Sequence, residues 1–151
     1  MAPNPKPGSV VHLEIRSTDP EKTKAFYNRV FGWRFTDMPE MNYTTWEAPS
    51  APGGGLMKPD NLPPGILTYL LSRNIDNDLP RIAAEGGNIL MPKTEIPQMG
   101  WFAIFSDPTG MVNALFESIP RRTAAAPKRR KASKARGARV ARRSRKSRGR
   151  R

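Results

Sequence analysis

The segment VVHLEIR, Val10–Arg16, alternates strictly in polarity. Val11, Leu13 and Ile15 fall on one face, and Val10, His12, Glu14 and Arg16 on the other, as in a half-buried strand. Asp19 then offers a helix cap, and Pro20 suits the first helical position, where a missing N–H costs nothing. Phe26 and Val30 make one stripe of that helix, and Gly32 marks its end. WRFT, NYTTWEA and GGLMK follow as short strands. The second half repeats the order: ILTYLL is a strand, DNDLPRIAAE a short helix begun by Asp76 or Asp78, and NILMPK, GWFAIF and MVNALF are strands. Pro80 is expected in the first turn of the second helix, because deeper it would remove a backbone bond and clash. The alternation of GWFAIF puts Trp101 and Phe105 on one face and Phe102 and Ile104 on the other.

The chain therefore reads as an α+β protein built from two βαβββ modules, about 10–58 and 66–117, joined near DNLPPG. Placed edge to edge, the two would form a curled mixed sheet with helices outside and a concave cavity inside. The domain is expected to span 10–118, after a flexible N-terminus (1–9) and before a disordered tail (119–151).

Charge divides the chain at the same place. Of 26 Lys and Arg, sixteen lie in residues 121–151, which hold no acid. The other ten face all thirteen Asp and Glu, so residues 1–120 carry −3 and the tail +16. The tail's only large apolar residue is Val140, too little buried surface to offset ordering entropy. No cysteine is present, which excludes disulfides and thiolate metal sites. MAPNPKPGS lacks the apolar core of a secretory signal and no apolar run is long enough to span a bilayer, so a soluble, cytoplasmic protein without a membrane partner is expected.

HLEIRSTDPEKTKAFYNRVFGWRF, the GGGL loop, the run NIDNDLPRIAAEGGNILMPKTEIPQMGWFAIFSDPTG and the closing ALFE resemble the vicinal-oxygen-chelate superfamily, which includes glyoxalase I, bleomycin-resistance proteins and extradiol dioxygenases. The likeness covers about residues 10–117. It implies a two-module cavity and a homodimer. In metal-using members it implies a ligand on the first and last strand of each module, typically His seven residues before the helix start and Glu seven after the Asp of D-P-x-G. Here His12 stands seven before Asp19, Tyr69 seven before Asp76, and Ala114 seven after Asp107. Glu117 is three further on, an odd shift that sends it to the other face. For the remaining position, NYTTWEA offers Thr45 or Glu47. His12 and Glu47 are the residual metal candidates, below the three protein ligands a catalytic metal needs, so no tightly held divalent metal or other cofactor is expected.

A small-molecule cavity is then expected to carry His12, Thr45, Glu47, Met57, Tyr69, Trp101, Ala114 and Phe116. His12 and Glu14, two apart on one strand face, could hydrogen-bond. With Tyr69 as donor they would form a metal-free acid–base set. The resemblance also admits a metal-dependent lyase, isomerase or dioxygenase.

The tail has the electrostatic footprint of a nucleic-acid-binding segment, with Lys128, Arg129, Arg130, Lys131, Arg142, Arg143, Arg145 and Lys146 as its densest groups. It implies non-specific association with DNA or RNA: nucleoid-associated in a prokaryote, nuclear in a eukaryote. A nucleoid protein whose body is only a dimeric platform is the third reading.

Overall fold

The computed structural model describes residues 4–120, so the basic tail, with the disorder and phosphate contacts expected of it, lies outside the described residues. The first module comprises β1 (Val10–Arg16), α1 (Pro20–Phe31), β2 (Arg34–Met38), β3 (Tyr43–Glu47) and β4 (Gly53–Met57). The second comprises β5 (Gly65–Leu71), α2 (Ile75–Ala84), β6 (Asn88–Ile96), β7 (Gly100–Ser106) and β8 (Val112–Ser118). The eight strands form one open mixed sheet in the order β2-β3-β4-β1-β5-β8-β7-β6. In each module the first strand runs parallel to the last, and β1 and β5 meet antiparallel at the seam. Gly8 and Ser9, expected to be flexible, extend that seam through backbone bonds to Leu71 (both 2.8 Å).

Period-2 alternation divides the core into two layers. On the outer face Ile75 of α2, with Leu79 and Ile82, packs on Ala103, Phe105 and Leu115. On the inner face Leu67, Tyr69, Ile104 and Ala114 cluster together, with Phe102 and Phe116 beside them.

Two helix expectations change. The cap of α2 is Asn74, whose side chain accepts from Asn77 N (3.0 Å), rather than Asp76 or Asp78. Glu117 fixes that start from the last strand by accepting from Ile75 N at 2.7 Å, so Pro80 falls inside the helix and not in its first turn. The first helix starts and ends where the sequence places it, on Asp19 and a left-handed Gly32 (φ 69°). It buries no residue, however, and Phe26, Val30 and Phe31 are 55%, 57% and 53% exposed. Its attachment runs through a ladder of stacked rings, Tyr27 on Trp33 (4.4 Å) and Trp33 on the buried Trp46 (4.3 Å).

Candidate functional site

The concave face encloses a cavity of about 460 Å³. Five of the seven methionines, Met38, Met41, Met57, Met91 and Met99, line it. Phe102, Ile104 and Phe116 complete an apolar wall drawn from both modules. Unbranched thioether side chains fill irregular space and re-pack around different shapes.

The floor is polar and its residues bond mostly to one another. Arg16 Nη1 donates to Glu14 Oε1 at 2.8 Å, and both side chains are buried. The second carboxylate oxygen, Oε2, accepts from Tyr69 Oη (3.2 Å) and Tyr43 Oη (3.4 Å). Tyr43 Oη also lies 2.8 Å from His12 Nε2. With Tyr43 donating to Glu14, the imidazole donates through Nε2–H and leaves Nδ1 as an acceptor. Burial, then the Glu14 charge, push both phenol pKa values upward, so both remain proton donors. Burial lowers the His12 pKa, which keeps the ring neutral.

That shift fixes a pH dependence. Below the ordinary value of 6.5 an unfolded His12 takes up a proton that the folded one refuses, so stability falls as pH drops from 6.5 toward the folded-state pKa. The urea midpoint of the wild type should therefore fall more between about pH 7.5 and pH 5 than that of His12→Gln. Equal falls would place the pH sensitivity elsewhere.

Of the side chains expected in the cavity, His12, Thr45, Met57, Tyr69 and Phe116 line it, together with Glu14. Ala114 is fully buried in the inner cluster beneath it. Two further expectations are corrected. Glu47 shares Thr45's parity but sits past the cavity's end, exposed and paired with Arg34 at 2.8 Å. Trp101 faces outward, with Lys93 Nζ 4.9 Å above its ring, because the opposite parity of β7 (Phe102, Ile104) faces the cavity. His12 and Glu14 are bridged by Tyr43 and not bonded directly. Tyr43 and Arg16 join the site although no motif marks them. Alternation had already put Arg16 on the His12 face, and the glycine run opposite β3 was the signal for Tyr43.

The ladder also corrects the metal-ligand count. Seven residues before the true cap, Asn74, stands Leu67, not Tyr69. Across the seam His12 pairs with Tyr69 and Glu14 with Leu67, so exchanging the modules exchanges His12 with Leu67 and Glu14 with Tyr69. Beside Glu14 in the last strand of its module lies Gly55, just as Ala114 lies beside Tyr69. The four positions are thus His12, Gly55, Leu67 and Ala114, a donor set that does not fit a divalent cation. Among the described residues no three His, Cys, Asp or Glu come together as a metal site. The space a ligand side chain on Gly55 would occupy is filled by the Tyr43 phenol, which any Cβ there would meet.

Comparisons with known proteins agree with this architecture. Residues 9–49 match a family model described as bleomycin resistance protein-like N-terminal. The protein named "Putative glyoxylase CFP32" of Mycobacterium tuberculosis is 28% identical over a 119-residue alignment covering 70% of this chain and 44% of its own length. CFP32 of Mycobacterium bovis gives the same figures. The chain thus spans less than half the length of these relatives. The methylmalonyl-CoA epimerase structure from Mycobacterium tuberculosis superposes with a TM-score of 0.55 at 19% identity, covering 78% of this chain and 92% of that one. A variant of the Streptomyces coelicolor epimerase, solved with 2-nitronate-propionyl-CoA, gives 0.52 at 15%, covering 76% and 97%. At such identities the solved structures speak for the fold alone.

Proposed function

We propose, from the premise that this chain has the vicinal-oxygen-chelate fold of glyoxalase- and bleomycin-resistance-like proteins, that it binds a small, mostly apolar molecule in its concave cavity without a metal. The observation that carries this reading is a methionine-rich wall closing over the His12–Tyr43–Glu14–Arg16–Tyr69 floor. The wall provides adaptable apolar contact, and the floor fixes orientation through one or two polar contacts. His12 Nδ1, neutral and held by Tyr43, is the group best placed to accept a proton or a hydrogen bond from the guest. Binding is favoured over turnover because Glu14 is already saturated by Arg16 and two phenols.

Titration of the protein with N-phenyl-1-naphthylamine, an apolar dye that fluoresces on leaving water, tests the reading. Saturable binding of one dye per chain, unchanged by EDTA, is the expected result. Micromolar binding of Ni²⁺ or Zn²⁺ that disappears in His12→Ala would replace it with a metal-dependent enzyme.

We further propose that residues 121–151 carry the chain to nucleic acid by counterion release, on the strength of sixteen cations and no acid. Affinity for a random-sequence duplex should fall by about 0.9 log units per log unit of salt for each phosphate engaged, with about ten contacts giving a slope near −9. Removing 121–151 should abolish binding. Binding that persists without them would assign it to the domain.

A further inference from the structure

We infer that the guest of this cavity is uncharged, and in particular that anionic molecules are excluded; the inference rests on reading the cavity as a small-molecule site. Among the described residues, three lining side chains carry a formal charge at neutral pH: Glu14, Arg16 and Asp60. Arg16 is the only cation among them, and two carboxylates lie beside it. Its Nη1 bonds Glu14 at 2.8 Å, its Nη2 lies 3.8 Å from Asp60 Oδ2, and its Nε is buried with no partner. Two carboxylates against one guanidinium leave the wall with a net charge of −1.

An anion brought to Arg16 would lie beside both Glu14 and Asp60, adding a third negative charge to a single guanidinium that Glu14 already holds in a buried pair. A cation would gain only from Asp60, whose side chain is 63% exposed, so water screens the attraction to a few-fold in affinity. Entry into the methionine-lined interior would meanwhile strip its hydration. What remains favourable is a neutral molecule whose bulk lies against the methionines.

Two dyes that differ chiefly by a sulfonate separate the possibilities: N-phenyl-1-naphthylamine and 8-anilino-1-naphthalenesulfonate. Both are titrated into the full chain at about 0.5 M salt, where screening within a few ångströms suppresses adsorption of the sulfonate on the basic tail. The neutral dye should bind at least about ten-fold more tightly. Asn61→Lys, a substitution at an exposed cavity-lining position between β4 and β5, should tighten the sulfonate about three- to five-fold relative to the neutral dye. A sulfonate that binds the wild type as tightly as the neutral dye, and responds to Asn61→Lys, overturns the inference and leaves the cavity reading intact. If neither dye binds saturably, the cavity reading falls and the inference falls with it.

Discussion

Gly55→Ala should destabilise the protein by more than about 2 kcal/mol and weaken binding of the neutral dye, although it adds only one methyl group. Overpacking of a tight core typically costs about 1–3 kcal/mol. Here the added Cβ would fall inside the Tyr43 ring and hydroxyl, so the phenol itself must move. Relief requires swinging the phenol away, which breaks its 2.8 Å bond to His12 and its bond to Glu14, so polar cost joins steric cost. Gly54→Ala is the contrast. On the opposite face of β4, its Cβ would strike Leu13 O and the Trp46 indole, so it should unfold the sheet without a specific cavity defect. Urea denaturation and dye titration together check this. In Tyr43→Ala/Gly55→Ala the combined loss should be clearly less than the sum of the single losses, because removing the phenol removes the clash. Strict additivity would sink the packing account.

The second large effect is expected from Arg16→Met. Removing one member of a buried ion pair typically costs about 3–5 kcal/mol, chiefly because the other charge is left in a poor solvent. Glu14 would keep its two phenol donors but lose the guanidinium at 2.8 Å. Methionine keeps most of the aliphatic stem, so the loss measures charge more than volume. Adding Glu14→Gln should restore more than half of the stability, since no uncompensated charge then remains. A double variant as unstable as the single one would show that the cost lies in packing.

Alternation and capping made the fold legible. His12–Arg16 kept its face assignment, and β7 kept the parity that sets Trp101 and Phe105 apart from Phe102 and Ile104. Val11 did not: a register irregularity between Val10 and His12 turns it to the inner face, where it lines the cavity instead of opposing His12. The start of α2 was misread because its cap depends on Glu117, 42 residues away, which no local pattern can display. That two-residue error moved the counterpart of His12 from Leu67 to Tyr69. Parity alone also cannot say where along a strand a cavity ends, which is why Thr45 lines it and Glu47 does not. Tyr43 was hidden for a related reason: its role depends on Gly55, a residue on the neighbouring strand whose contribution is the absence of a side chain.

That absence has a bearing on descent. Suppose an ancestor held a metal through a side chain at position 55. Installing a phenol at 43 while that side chain remained would have been sterically barred, and losing it first would have left a hole beside His12. The reverse path is equally blocked, because a carboxylate at 55 cannot fit until Tyr43 leaves, and Tyr43 cannot leave without orphaning His12 and Glu14. Neither single exchange is neutral in either direction. On that supposition the glycine–tyrosine pair would act as an epistatic lock, each position open to exchange only together with the other.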